Sequence, residues 1–172
     1  MISIKQLKTI MKFLINLIPF LFSIVLSAQS TIPKVLKKLN RESVPYIKVN
    51  EIKSEDNIVF LDAREPKEFN VSHIENAINV GYNKFESENI TSILEDKNAK
   101  IVVYCSVGVR SERIGEKLLK LGYKNVYNLF GGIFEWKNNG QKVVNNQNQE
   151  TEQIHVFSKK WGAYLNNGIK VY

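Results

Sequence analysis

Lys100-Ile101-Val102-Val103-Tyr104-Cys105-Ser106-Val107-Gly108-Val109-Arg110 contains the only cysteine of this 172-residue chain. Residues 100–104 are mostly β-branched or aromatic, which predicts a buried strand. After Ser111, apolar residues recur at helical spacing as far as Leu121, and Gly122 is a stop signal for the helix. The sequence therefore predicts that Cys105 lies in the turn between a core strand and a helix.

A thiol in such a turn has positive charge around it. Backbone N–H groups at the start of a helix lack partners within the helix, and the helix dipole adds partial positive charge there. Arg110 adds a full charge near Cys105. These features lower the pKa of a thiol and favour the thiolate. Because a buried, inert cysteine needs neither Gly108 nor Arg110, we interpret Cys105 as a reactive thiol.

Strand and helix patterns alternate along the chain. Predicted strands lie at residues 46–49, 58–61, 77–80, 100–104 and 125–129, with helical patterns between and after them. This alternation predicts a parallel sheet wrapped by helices, in which ligands collect at the carboxyl ends of the strands. Asp62, Arg64 and Cys105 would all lie at that edge.

Five segments, in order, resemble the motifs of the rhodanese family of single-domain sulfurtransferases. The Cys105–Arg110 segment resembles the C-x-x-G-x-R active-site loop of that family. The other four are the D-x-R-E segment within residues 58–69, the segment at 72–80 similar to G-H-I-P-G-A-x-N-I, the L-G-[FY]-x-x-V-x-x-L segment at 121–129, and the G-G-x-x-x-W segment at 131–136. The resemblance covers about residues 44–144. It implies a rhodanese-like α/β fold, with a central, mostly parallel sheet and helices on both faces.

The resemblance also implies sulfur-transfer chemistry at Cys105. Its thiolate would attack the outer sulfur of thiosulfate or a polysulfide, and the resulting persulfide would pass that sulfur to cyanide or a thiol. Arg110 would bind the anionic oxygens of the donor or orient the loop, and Ser111 would cap the helix and hydrogen-bond the loop. Backbone amides would cradle the negative sulfur. The active-site loop expected to bind substrate comprises Ser106, Val107, Gly108, Val109, Arg110 and Ser111.

Asp62 and Arg64 are the expected supporting residues. An Asp at the end of a strand can fix neighbouring loop amides, and we favour that function for Asp62 over acid catalysis. Arg64 would line the anion site or pair with Glu68 four residues later. We assign His73 to a supporting segment rather than to a Cys–His pair. Three residues of that segment depart from the family pattern and put the geometry of its turn in question: Ser72, Glu75 and Asn76.

The N-terminus has the layout of a secretory signal. Three lysines precede or begin an apolar run at residues 13–26, and small residues follow at 27–30. We therefore expect residues 1–28 to be a signal peptide and the protein to be periplasmic or secreted. The alternative is an uncleaved membrane anchor, although about fourteen residues are short for a membrane span. Residues 29–43 form a lysine-rich lead-in with a predicted short helix.

Residues 145–172 are interpreted as a linker and a C-terminal tail. The segment at 145–149 is composed of Asn and Gln, which predicts a flexible linker. Apolar residues are concentrated after it, including Ile154, Phe157, Trp161 and Leu165. Two interpretations are open: the tail packs back on the domain, or it docks a protein partner.

Charge and composition limit the partners. The chain has a formal net charge of +7, which falls to +4 without the three N-terminal lysines because 21 basic residues then face 17 acidic ones. This modest excess, without an aromatic-interleaved basic stripe, does not indicate nucleic acid. His73 and His155 are far apart in sequence and one cysteine cannot complete a zinc set, so we expect no metal and no cofactor. The expected partners are a small anionic sulfur donor and an external thiol or cyanide acceptor, with membrane contact only if the N-terminal segment stays uncleaved.

Two other functions fit a rhodanese-like fold. The resemblance implies that phosphatases and arsenate reductases with this fold have an active-site loop one residue longer, which holds a tetrahedral oxyanion. Non-catalytic binding modules of this kind usually lack the cysteine. The shorter loop and Cys105 therefore favour sulfur transfer, because function is decided by the site rather than by the fold.

Overall fold

The computed structural model describes residues 31–53 and 55–172, and residues 32–172 form one compact unit. The predicted signal peptide at residues 1–28 lies outside the described residues. Within the described ranges, no helix has the length and apolar character needed to cross a membrane.

A five-stranded parallel sheet forms the centre of this unit. Its strands are β1 (Tyr46–Ile47), β2 (Ile58–Asp62), β3 (Ile78–Asn79), β4 (Lys100–Tyr104) and β5 (Asn125–Leu129), and their spatial order is β1-β5-β4-β2-β3. All neighbouring pairs are parallel. The strand that precedes Cys105 is the middle one, and residues 101–104 are completely buried. The predicted α/β fold is confirmed.

In the described part of the chain, five helices accompany the sheet: α1 (Ile32–Leu39), α2 (Pro66–Val71), α3 (Ser87–Ile93), α4 (Val109–Lys120) and α5 (Gly132–Asn138). Side chains alternate between the two faces of a strand, so β4 feeds two separate cores. Ile101 and Val103 belong to one core together with Ile114 of α4. Val102 and Tyr104 belong to the other, together with residues of α5. Helices therefore lie on both faces, as expected.

Local sequence signals explain where these elements start and stop. Pro66 occupies the first turn of α2, where its missing N–H costs no helical hydrogen bond. Gly122 follows the end of α4 with a φ of 89°, in the left-handed region that terminates helices.

The first predicted strand is shorter than expected, because residues 49–51 form a 3-10 helix instead. The strand predicted at 77–80 is limited to Ile78–Asn79.

The segment predicted as a flexible linker is the turn of a hairpin. Strands β6 (Val143–Val144) and β7 (Glu150–Thr151) pair antiparallel on either side of it. The Asn145 Oδ1 atom accepts hydrogen bonds from the backbone N–H groups of Gln147 and Gln149, at 2.9 and 3.1 Å. Asn side chains commonly close turns in this way, so the polar composition marks a turn rather than a linker.

The rest of the tail packs on the domain. It contains β8 (Gln153–His155), a short helix α6 (Lys159–Gly162) and β9 (Ile169–Val171), with β8 and β9 paired in parallel. Ile154 and Val156 are completely buried, and Leu165 is 1% exposed. All three belong to the same core as Tyr104 and Phe134. This packing favours the first of the two interpretations of the tail.

Truncation of Ile154 tests that packing. Ile154→Ala removes buried methyl groups and leaves a cavity, so we expect the free energy of unfolding in urea to fall by about 2–5 kcal/mol. Ile169 lies in the same tail but is 59% exposed. Ile169→Ala should change stability by no more than about 0.5 kcal/mol. Equal, small effects of the two substitutions would show that the tail does not pack on the domain in solution.

Candidate active site

Cys105 lies directly after β4, and its side chain is in the loop that leads into α4. Its Sγ atom accepts a hydrogen bond from the backbone N–H of Gly108 at 3.2 Å. Gly108 has a φ of 110°, which turns the chain back so that its amide faces the sulfur. A β-carbon at Gly108 would also lie 3.3 Å from the Leu36 side chain. The spacing between Cys105 and Gly108 is therefore a requirement of the loop geometry.

Helix α5 fixes the loop from the other side. The carbonyl oxygens of Cys105 and Ser106 accept hydrogen bonds from the N–H groups of Ile133 and Phe134, at 2.9 and 3.1 Å. A β-carbon at Gly132 would overlap the carbonyl oxygen of Cys105. The absence of a side chain at Gly132 therefore allows the first turn of α5 to approach the loop backbone this closely.

Glu68 of α2 holds Arg110 in a two-pronged ion pair. Arg110 Nη1 lies 2.7 Å from Glu68 Oε2, and Arg110 Nη2 lies 2.8 Å from Glu68 Oε1. The Arg110 fork also donates to Ser106 Oγ at 3.1 Å. The side chain of Glu68 is completely buried, whereas that of Arg110 is 24% exposed. The pair therefore ties α2 to the loop that carries the thiol.

The pairing expected between Arg64 and Glu68 is wrong. Arg64 is completely buried and pairs with Asp62, with Nη2 and Oδ2 2.6 Å apart. Its Nη2 also donates to the carbonyl oxygen of Ser72 at 2.6 Å. Residues two apart in an extended chain point to the same side, so Asp62 is the nearer carboxylate. Burial lowers the pKa of Arg64, but the charge of Asp62 outweighs this effect and the pKa is raised.

Asp62 performs the expected structural function, whereas Arg64 does not line the anion pocket. Asp62 Oδ1 accepts a hydrogen bond from the backbone N–H of Arg64 at 2.9 Å, so it fixes a loop amide as predicted. Arg64 has no exposed surface. Its guanidinium instead joins β2 to the segment at Ser72. Asp62 and Arg64 therefore stabilise the fold next to the site and do not line the cavity.

Ser111 does not cap α4, since the helix begins at Val109 and Gly108 is its N-cap. The Ser111 Oγ atom donates to Asn128 Oδ1 at 2.7 Å and lies 3.6 Å from Cys105 Sγ. Asn128 Nδ2 in turn donates to the carbonyl oxygen of Gly108 at 2.8 Å. Asn128 is completely buried. A polar residue in a buried strand was the sequence signal that could have identified it, because such a group needs a hydrogen-bond partner.

The electrostatics of the loop favour the thiolate. Burial raises the pKa of the Cys105 thiol, but the charge of Arg110 and hydrogen bonds from the backbone N–H groups of Ser111 and Gly108 outweigh burial. The pKa is therefore below its ordinary value. Burial also raises the pKa of Glu68, and again the effect of Arg110 is larger, so this carboxyl group has a lowered pKa. The charge of Arg110 therefore favours the ionised form of both Cys105 and Glu68.

A cavity of about 350 Å³ opens above the sulfur. Its floor includes Cys105, Ser106 and Arg110, so these predicted residues are brought together. Its walls are mostly apolar and include Leu39 of the N-terminal lead-in and Val109. Two further wall residues, Phe157 and Trp161, come from the C-terminal tail, and the sequence did not place them at the site.

His73 takes no part in this cavity's lining. Its ring stacks on Phe69 with centroids 3.7 Å apart, and its Nδ1 atom lies 3.0 Å from the carbonyl oxygen of Phe69. This agrees with its assignment to a supporting segment. Asn76, in the turn that departs from the family pattern, has a φ of 60°. Asn adopts this left-handed conformation more readily than most residues, so the turn forms without glycine there.

Comparison with known sequences identifies one family and a group of relatives. The family model described as Rhodanese-like domain matches residues 47–139. A tRNA uridine(34) hydroxylase of Hamiltonella defensa is 37% identical over 97 residues, which are 55% of this chain and 27% of that protein. The protein of the same name from Yersinia pestis (strain Pestoides F) is 36% identical over 91 residues, 51% of this chain and 26% of its own. The chain therefore spans about a quarter of the length of these curated relatives.

Solved structures share the fold. A rhodanese-related protein from Thermoplasma volcanium is 31% identical with a TM-score of 0.52, and the match covers 58% of this chain and 97% of that one. A thiosulfate sulfurtransferase from Pseudomonas aeruginosa has a TM-score of 0.55 at 23% identity, covering 62% of this chain and 21% of that one. At that identity, the second likeness shows the fold alone.

The thiol should ionise below the ordinary cysteine pKa, and Arg110 should be a main cause. Replacing Arg110 by Gln removes its charge, so the pH midpoint of thiolate formation should rise. The measurement is the ultraviolet absorbance of the thiolate against pH, with Cys105→Ser as the blank. Arg113→Gln is the matched control, because Arg113 lies on the same helix but pairs with Glu116. An unchanged midpoint in Arg110→Gln would contradict this account.

Loss of the Glu68 charge should weaken the fold. Glu68→Gln removes the buried charge and turns one of the two acceptors toward Arg110 into a donor, so the free energy of unfolding should fall by about 1–3 kcal/mol at neutral pH. Since folding lowers the pKa of Glu68, its contribution is present above the unfolded value of about 4.3 and is lost as pH falls through the folded value. Glu75→Gln, at an exposed position, is the control. A difference between Glu68→Gln and wild type that persists undiminished below the folded pKa would be the contrary result.

Proposed function

The chain belongs to the rhodanese-like family, and we propose that it is a sulfurtransferase that carries sulfane sulfur as a persulfide on Cys105. One observation supports this proposal most directly. The sulfur of Cys105 lies at the base of a cavity, where it accepts a hydrogen bond from the Gly108 amide and its pKa is lowered. A thiolate in such a place is a nucleophile accessible to a small donor.

The reaction proceeds in two displacements. In the first, the Cys105 thiolate attacks the outer sulfur of thiosulfate, a sulfur–sulfur bond forms, and sulfite leaves with the electron pair of the bond that breaks. In the second, an acceptor thiolate or cyanide attacks the outer sulfur of the persulfide. The Cys105 thiolate is the leaving group, and the product is a new persulfide or thiocyanate. No additional oxidant or reductant is needed, because each step exchanges one bond to sulfur for another.

Arg110 serves as an electrostatic and positioning group in this reaction. Both of its terminal nitrogens are engaged by Glu68, so its fork is not free to clamp the oxygens of a donor. Its charge still lowers the pKa of Cys105. Of the two functions that the sequence left open for Arg110, we therefore favour orientation of the loop over direct binding of the donor.

The proposed partners and location follow from the sequence. The donor is a small anion such as thiosulfate, and the acceptor comes from outside the chain, because no second cysteine is present to resolve the persulfide. Export to the periplasm or secretion remains a proposal that rests on the signal-like pattern of residues 1–28.

The curated relatives suggest a second candidate, a part in tRNA uridine modification. In favour of it, two proteins named tRNA uridine(34) hydroxylase are 36–37% identical over the matched region. The match is confined to 26–27% of their length, and three quarters of each protein has no counterpart in it. Sulfur transfer at Cys105 needs only the matched loop, and it is therefore the stronger proposal.

Intact-protein mass spectrometry after treatment with thiosulfate tests the first step. Reduced protein should gain the mass of one sulfur atom, and cyanide should remove it, because a persulfide has an electrophilic outer sulfur. Cys105→Ser is the matched control and should gain nothing. If reduced, folded protein takes up sulfur from neither thiosulfate nor polysulfide, sulfur transfer is wrong, and assays of phosphatase, arsenate reductase and tRNA hydroxylase activity become the next measurements.

A further inference from the structure

The C-terminal tail supplies an aromatic wall to the cavity above Cys105. Phe157 and Trp161 both line that cavity, and both lie beyond the family match at residues 47–139. Leu39, which precedes the match, lies on the same wall. Segments on either side of the matched domain therefore shape the entrance to its thiol.

Phe157 is held in a conformation that its own packing does not explain. Its φ is 64°, and among the described residues it is the only aromatic residue with a positive φ. Bulky residues rarely adopt such angles, and strain of this kind is concentrated at functional sites. The side chain gains little from the core in return, because Phe157 is 61% exposed.

Its neighbours fix the position of the Phe157 ring. Val156, the residue before it, is completely buried and anchors the backbone. The backbone N–H of Phe157 donates to His155 Nδ1 at 3.2 Å. The ammonium group of Lys67, on α2, lies 5.9 Å from the centre of the Phe157 ring. The ring is thus displayed at a defined place beside the cavity.

The cavity is larger and less polar than a site for a small anion needs to be. At about 350 Å³ it lies within the range of pockets that hold organic ligands, roughly 300–1,000 Å³. Two charged residues line it, and both already have partners: Arg110 pairs with Glu68, and Glu65 accepts two hydrogen bonds from Asn83. The remaining wall is mainly aliphatic and aromatic. Such a lining suits an apolar body better than a charged one.

We propose that the sulfur acceptor is a low-molecular-weight thiol with an apolar, aromatic body that packs against Phe157 and Trp161. This inference rests on the proposed sulfurtransferase function. The thiolate of the acceptor attacks the outer sulfur of the Cys105 persulfide, a new sulfur–sulfur bond forms on the acceptor, and the Cys105 thiolate leaves. The proton of the acceptor thiol passes to solvent before the attack. The aromatic wall fixes the body of the acceptor while its sulfur reaches the persulfide.

The test compares two acceptors on the persulfide-loaded full chain. The rate at which the Cys105 persulfide loses its outer sulfur is measured with 2-phenylethanethiol and with 2-mercaptoethanol. The rate for each thiol is divided by the rate at which the same thiol reacts with free cysteine persulfide. We expect a preference of roughly tenfold for the aromatic thiol, the size that burial and ring packing of one aromatic group support. Phe157→Ala and Trp161→Ala should each reduce this ratio. Tyr172→Ala should not, since Tyr172 is an exposed aromatic residue of the same tail that does not line the cavity.

A second measurement does not depend on any variant. The compound 2-phenylethanol has the same body without the sulfur, so it should slow discharge to 2-phenylethanethiol in the wild-type protein. No preference for the aromatic thiol, an equal loss in the Phe157 and Tyr172 variants, or no inhibition by the alcohol would overturn the inference and leave sulfur transfer intact. Preferential discharge to a cysteine-containing peptide would overturn it in favour of a protein acceptor. Failure of the wild-type protein to load sulfur would instead overturn the proposed function, and this inference with it.

Discussion

The ion pair between Glu68 and Arg110 is the interaction on which the site depends. It joins two segments 42 residues apart, one on α2 and one at the start of α4, and its carboxylate is completely buried. A carboxylate without a partner there would pay the full cost of desolvation. The pair therefore stabilises only one arrangement of loop and helix. In that arrangement, the charge of Arg110 lies close enough to Cys105 to lower the pKa of the thiol.

The parallel sheet determines where this arrangement forms. Because all five strands run in the same direction, the residues that follow β2 and β4 emerge at the same edge. Helix α5 then contributes amides that occupy the carbonyl groups of the loop, and Gly108 directs its own amide to the sulfur. The scaffold holds the nucleophile, whereas the parts outside the family match shape the entrance.

Much of this could be predicted from sequence, and the exceptions have physical causes. The position of Cys105 between strand and helix and the parallel sheet follow from local patterns and from the order of motifs. The ion pair of Glu68 with Arg110 could not be predicted in this way. Sequence spacing suggests Arg64, four residues away, and gives no information on a residue that only the fold brings close. Asn128 has a buried polar side chain whose partners become visible only in three dimensions. The positions of Phe157 and Trp161 at the cavity depend on how the tail packs, which hydrophobic patterns do not specify.

The central claim is that the loop holds a persulfide on Cys105. A crystal structure of the reduced protein soaked in thiosulfate tests it most directly. We expect one additional sulfur atom bonded to Cys105 Sγ, directed into the cavity and within hydrogen-bond distance of the loop amides. An unmodified Cys105 in crystals that retain the Glu68–Arg110 pair and an open cavity would contradict it.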